Sequence, residues 1–90
     1  MTVFKNDREQ ELVNEVLIGM MFNRGGVIPN STLSREDYLK DMLNTLNNQN
    51  AKYTELVKVT NKRTKKYITY LNNLADVHRN LATVNMLLAS

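Results

Sequence analysis

Apolar residues near the start of the chain fall at Leu12, Val13, Val16, Leu17, Met20 and Met21, the spacing of one face of an α-helix. Asn6-Asp7-Arg8-Glu9 opens this stretch in the manner of a capping box, with Asn6 as N-cap and Glu9 reaching back from the third helical position. Its acidic residues suit the positive end of the helix dipole. Asn23-Arg24-Gly25-Gly26 closes it, because glycine adopts the left-handed conformation of a helix end without steric cost. The pattern predicts a helix over 6–23 and a connector over 24–33, with Val27 and Ile28 tucked against a helix. Asn30-Ser31-Thr32 reads as turn chemistry rather than a glycosylation site. A second helix start follows. Ser34 is the N-cap, Glu36 and Asp37 occupy the first turn, and Leu33 is placed to staple onto Tyr38.

From Ser34 onward there is no Gly or Pro, and a 3,4 apolar spacing never slips. Its positions are Leu39, Met42, Leu46, Gln49, Tyr53, Leu56, Thr60, Arg63, Tyr67, Tyr70, Leu74, Val77, Leu81, Val84 and Leu88. A register kept this long is the mark of a coiled coil. The expectation is a helical segment over 34–88, about 80 Å long if unbroken. Two polar stretches weaken it, Asn47-Asn48-Gln49-Asn50 and Thr60-Asn61. Because the register runs through both, continuity is the favoured reading, and a break at either would give a three- or four-helix bundle. Leu43, Val57, Val59 and Leu71 flank the seam and widen the stripe beyond a dimer contact. Thr60 and Arg63 put polar groups into consecutive seam layers, as residues that fix register or oligomer number do. A buried Arg63 would need an acid, from the first helix or from Glu55.

The predicted class is therefore all-α: a helical hairpin with a short N-terminal helix and a long, straight or bent, heptad-patterned helix, assembling as a coiled coil or helical bundle. Composition narrows what such a chain can do. At 90 residues it is at most one domain with a modest core. It has no Cys, so disulfide frameworks and thiolate chemistry are absent. Its longest apolar run, Val16 to Phe22, is too short to span a bilayer. Acidic residues beside that run argue against a signal peptide, which points to a cytoplasmic or virion setting rather than secretion. Asn is abundant, at 13, and Lys outnumbers Arg, a bias that fits a phage or bacterial source.

Charge is uneven. Residues 1–57 carry six basic and eight acidic groups, whereas 58–90 carry six basic and one acidic. The basic cluster Lys58, Lys62, Lys65 and Lys66, with Arg63 inside it and Tyr53, Tyr67 and Tyr70 around it, has the residue types that hold an acidic partner or a phosphate backbone. The same pattern serves as a solvated helix face. His78 is the only His and falls beside the seam, so no His pair exists for a metal. No phosphate-binding glycine loop is present, and the carboxylates sit at helix starts, where capping explains them. No cofactor site is expected.

These features point to a non-enzymatic oligomeric structural, assembly or adaptor protein, such as a small phage or viral particle component. Its homo-oligomer or partner interface would run along Leu39, Met42, Leu46, Leu56, Tyr67, Tyr70, Leu74, Val77, Leu81, Val84 and Leu88. One alternative is a small helical protein that inhibits or regulates a partner. Another is a nucleic-acid-binding accessory protein using residues 58–66.

Overall fold

Capping chemistry sets the elements. In a computed structural model that describes residues 2–90, the chain forms α1 (Asp7–Phe22), α2 (Arg35–Val59) and α3 (Lys65–Ala89), with no strand among the described residues. Asn6 caps α1 by accepting the Glu9 N–H at 2.8 Å. The Glu9 carboxylate does not return to the cap. It accepts the Lys5 N–H one residue earlier, at 3.2 Å. Ser34 caps α2 through the Asp37 N–H at 3.2 Å. Thr64 caps α3 through the Tyr67 N–H.

The continuous helix expected over 34–88 is two helices. α2 stops at Val59, and Thr60 to Thr64 form a turn. Asn61 builds it. Its side-chain oxygen accepts the Arg63 N–H at 2.9 Å, and its carbonyl accepts both the Thr64 N–H at 3.1 Å and the Thr64 hydroxyl at 2.7 Å. Short polar side chains offer the backbone partners that compete with the helical ladder, and here they win. Thr60 and Arg63 therefore lie in the turn and not in a polar seam. Thr60 is the C-cap of α2, and Arg63 is exposed.

The second polar stretch, Asn47 to Asn50, stays helical. There the amides have tertiary partners. Gln49 is buried and donates to the Met20 carbonyl at 3.0 Å, with the Asn23 and Arg24 carbonyls at 3.5 Å. Asn50 pairs with His78 of α3 at 2.8 Å.

The turn folds α3 back antiparallel to α2, bringing Asn50 to His78, Tyr53 to Tyr70 and Arg35 to Leu87. α1 packs mainly on α3, with Gly19 against Asn80. The connector then runs back beside α2. The Arg24 N–H donates to the Tyr53 hydroxyl, Thr45 donates to the Val27 carbonyl, and Thr2 donates to the Ser31 and Leu33 carbonyls. Gly25 holds a φ of 85°, and a Cβ at Gly26 would run into the Met20 carbonyl. This is why two glycines end α1. The result is a three-helix bundle with principal extents of 45 × 20 × 20 Å, about half as long as an unbroken arm.

One core fills the space between the helices. It takes Val13, Val16 and Met20 from α1, Tyr38, Leu39, Met42, Leu46 and Tyr53 from α2, and Val77, Val84 and Leu87 from α3. Much of the proposed oligomer seam is thus engaged within one chain. Leu39, Met42, Leu46, Val77 and Val84 are fully buried, while Leu56, Tyr67, Tyr70, Leu74, Leu81 and Leu88 are half-buried. Val27 and Ile28, expected to tuck inward, are exposed, and Pro29 is buried in their place. Asn30 makes a turn, its side chain accepting from the Thr32 N–H and hydroxyl. Among the described residues, no helix is long and apolar enough to cross a membrane.

Candidate functional site: a basic and apolar cleft at the hairpin tip

The bundle has two unlike ends because its helices differ in length. α1 has 16 residues against 25 in each of α2 and α3. All three meet at the end where α1 and α2 begin. There Arg35 donates to both Glu9 oxygens, at 2.6 and 2.9 Å, and also to the Leu87 carbonyl at 2.8 Å. One guanidinium thus joins the starts of α1 and α2 to the end of α3. The pair is largely withdrawn from solvent, with side-chain exposures of 20% and 6%. Arg35 holds the Glu9 carboxyl below its ordinary range by hydrogen bonding, against a smaller opposing effect of burial, and Glu9 in turn raises the Arg35 pKa. Phe4 closes this end edge-on against Tyr38, with ring centroids 5.6 Å apart.

At the opposite end α1 stops and the α2–α3 hairpin continues uncovered. A cleft of about 470 Å³ opens there, walled by Phe22 and Arg24 after α1, Lys52, Tyr53 and Leu56 on α2, and Lys65, Lys66 and Tyr70 on α3. Four of its lining residues are basic and none is acidic. The four ion pairs among the described residues are Arg8–Glu11, Arg35–Glu9, Lys40–Glu36 and Arg79–Asp76. Arg24, Lys52, Lys58, Lys62, Arg63, Lys65 and Lys66 belong to none of them. The first turn of α3 carries Lys65 and Lys66 and no acid, so like charge is gathered at the positive end of a helix dipole. Tyr53 is buried with its hydroxyl held by the Arg24 N–H, and its ring lies 6.2 Å from that of Tyr70. Lys52 sits over the Tyr53 ring at 5.8 Å.

Phe22 joins this cleft to an apolar patch. It is 85% exposed and shares a concavity with Met21 and Ile18, exposed by 68% and 56%. These three side chains lie off the buried stripe of α1, which runs through Glu9, Val13, Val16 and Met20.

The structure thus brings Lys65 and Lys66 of the basic cluster to the cleft with Tyr70 and Leu56. Lys58, Lys62 and Arg63 sit on the exposed tip outside its lining. His78 is exposed and bridges to Asn50. The sequence pattern missed Arg24, Lys52 and Phe22, and it missed the Glu9–Arg35 and Gln49 contacts. One signal was available: Ile18, Met21 and Phe22 are apolar residues in excess of what one face of a short helix can bury. Compared with known proteins, the chain matches no family model, no curated protein and no solved structure.

Proposed function

We propose that this chain is a non-enzymatic adaptor or assembly component that works by docking another protein surface on its tip end. The observation that carries this reading is the contiguous exposure of Ile18, Met21 and Phe22. Single exposed apolar residues are ordinary on a folded surface, whereas adjacent ones mark contact sites. The bundle core is complete without them, so folding does not account for their presence. The turn at Thr60 to Thr64 removes the uncovered long arm on which the coiled-coil expectation rested, which favours an adaptor over a filament-like scaffold. Self-association through the same patch belongs to this reading.

Met21→Ser combined with Phe22→Ser tests it, using light scattering over a concentration series together with thermal melting. The parent is expected to rise above its 10.4 kDa mass as concentration increases, and the double variant to stay monomeric with an unchanged melting midpoint. A variant that melts well below the parent, with no change in association, would show that the patch serves the fold and would overturn the reading.

A further inference from the structure

We infer that the tip cleft is the seat for an acidic segment of a partner protein, one that carries carboxylates beside an apolar anchor. This rests on the adaptor reading and adds the chemistry of the occupant. Arg24, Lys52, Lys65 and Lys66 come from three separate elements to line one concavity without an acid among them. Like charges gathered in a shared cleft repel one another, and a negatively charged occupant relieves that repulsion. The first turn of α3 adds to the same positive field. The cleft is not purely polar: Phe22 and Leu56 form apolar wall, and Phe22 continues into Met21 and Ile18. An occupant must therefore offer negative charge to the lysines and an apolar side chain to Phe22 at the same time.

A nucleic acid meets only half of that demand. Base stacking needs open aromatic faces. Tyr53 is buried, and Tyr70 is half-buried against it. Phe22 is the one aromatic of the cleft with an open face, and the neighbours that extend it are the aliphatic Ile18 and Met21. A phosphate backbone gains nothing from those two, whereas a leucine or phenylalanine of a peptide does. The remaining basic residues, Lys58, Lys62 and Arg63, flank the approach and would speed encounter with an acidic chain more than they would strengthen the bound state.

The test is fluorescence anisotropy with the full chain and a labelled short peptide in which aspartate and glutamate alternate with leucine and phenylalanine. The comparison probes are the same peptide with glutamine and asparagine for its acids, and a single-stranded oligothymidylate. The acidic peptide is expected to bind, to weaken as salt rises, and to lose about tenfold in affinity with Lys65→Gln and Lys66→Gln together. Phe22→Ser should weaken it by a similar factor, and the neutral peptide should bind no better than to that variant. Circular dichroism checks that each variant keeps the parent's helicity. Equal binding of the neutral peptide, indifference to the two lysine changes, or tighter binding of the oligothymidylate would each overturn the inference. Loss of association in the Met21, Phe22 variant alongside any of those results would leave the adaptor reading standing and remove only the acidic occupant.

Discussion

The two ends of this bundle are built from similar material and put it to opposite uses. At the closed end, where α1 and α2 begin, one acid and one base, Glu9 and Arg35, are paired across helices, and that arginine ties all three elements together. At the open end seven basic residues stand without ion pairs, beside apolar side chains that the core does not need. Charge matched to charge fixes a structure, whereas charge left unmatched at a surface is available to another molecule. The difference follows from length: a third helix covers one end of the hairpin and falls short of the other.

Breaking the closed end should have the largest effect. Arg35→Ala leaves the Glu9 carboxylate largely buried with one backbone N–H for a partner and frees the end of α3. The expected loss is about 2 kcal/mol, in the range for removing a charged hydrogen-bond partner, read as a lower urea midpoint at unchanged slope. The same contact gives a pH dependence. The Glu9 pKa is lowered in the folded state from an ordinary value of 4.5. Its contribution is therefore fully present above that value and is lost as pH falls through the folded-state pKa. Stability of the parent should decline on acidification below about 4.5, and part of that decline should be absent in Arg35→Ala. Urea titrations of both chains across an acid series check this.

A smaller effect is expected at Gln49, which links the closed half to the open one. Its side-chain amide satisfies the Met20 carbonyl and approaches two more at the end of α1, while its own Oε1 is buried without a partner. Gln49→Leu removes that orphaned acceptor but also strips the carbonyls of their donor. The net cost should be about 1 kcal/mol. The distinguishing readout is local. Amide hydrogen exchange should quicken at Asn23 and at Arg24, which lines the cleft, and remain slow around Arg35. Uniform quickening would mean that Gln49 stabilises the whole bundle instead of the end of α1.

The all-helical class and the first two helix starts were legible because helix starts are local chemistry. Asn6 and Ser34 cap helices that begin where the pattern started them, and the apolar periodicity picked out Val13, Leu39, Val77 and Val84, the last three as an interface seam that the fold instead buries within one chain. Helix continuity was not legible, because a 3,4 apolar spacing reads the same along one long arm as along two arms that fold face to face. What separates the two polar stretches is tertiary. Gln49 and Asn50 find partners on other elements and stay helical, whereas Asn61 and Thr64 find them within their own turn. The site was legible in part. The Lys65 and Lys66 cluster was visible as composition, but Arg24, Lys52 and Phe22 join it only through the fold, as Arg35 joins Glu9 across 26 positions of sequence.

The smallest effect is expected at the open end, and its sign sharpens the contrast. Lys65→Gln with Lys66→Gln removes two exposed charges that have no ion pair. It also removes positive charge from the first turn of α3, where the dipole disfavours it. The variant should therefore melt at the parent's midpoint or slightly above it, unlike any change at Arg35. Salt is the second lever. Added salt screens repulsion among exposed like charges much more than it weakens a largely buried pair. The parent's midpoint should rise modestly from low to moderate ionic strength, and that rise should shrink in the lysine variant and persist in Arg35→Ala. A variant that melts lower than the parent at every salt concentration would mean that Lys65 and Lys66 hold the tip together, and the open end could no longer be read as charge held in reserve for another molecule.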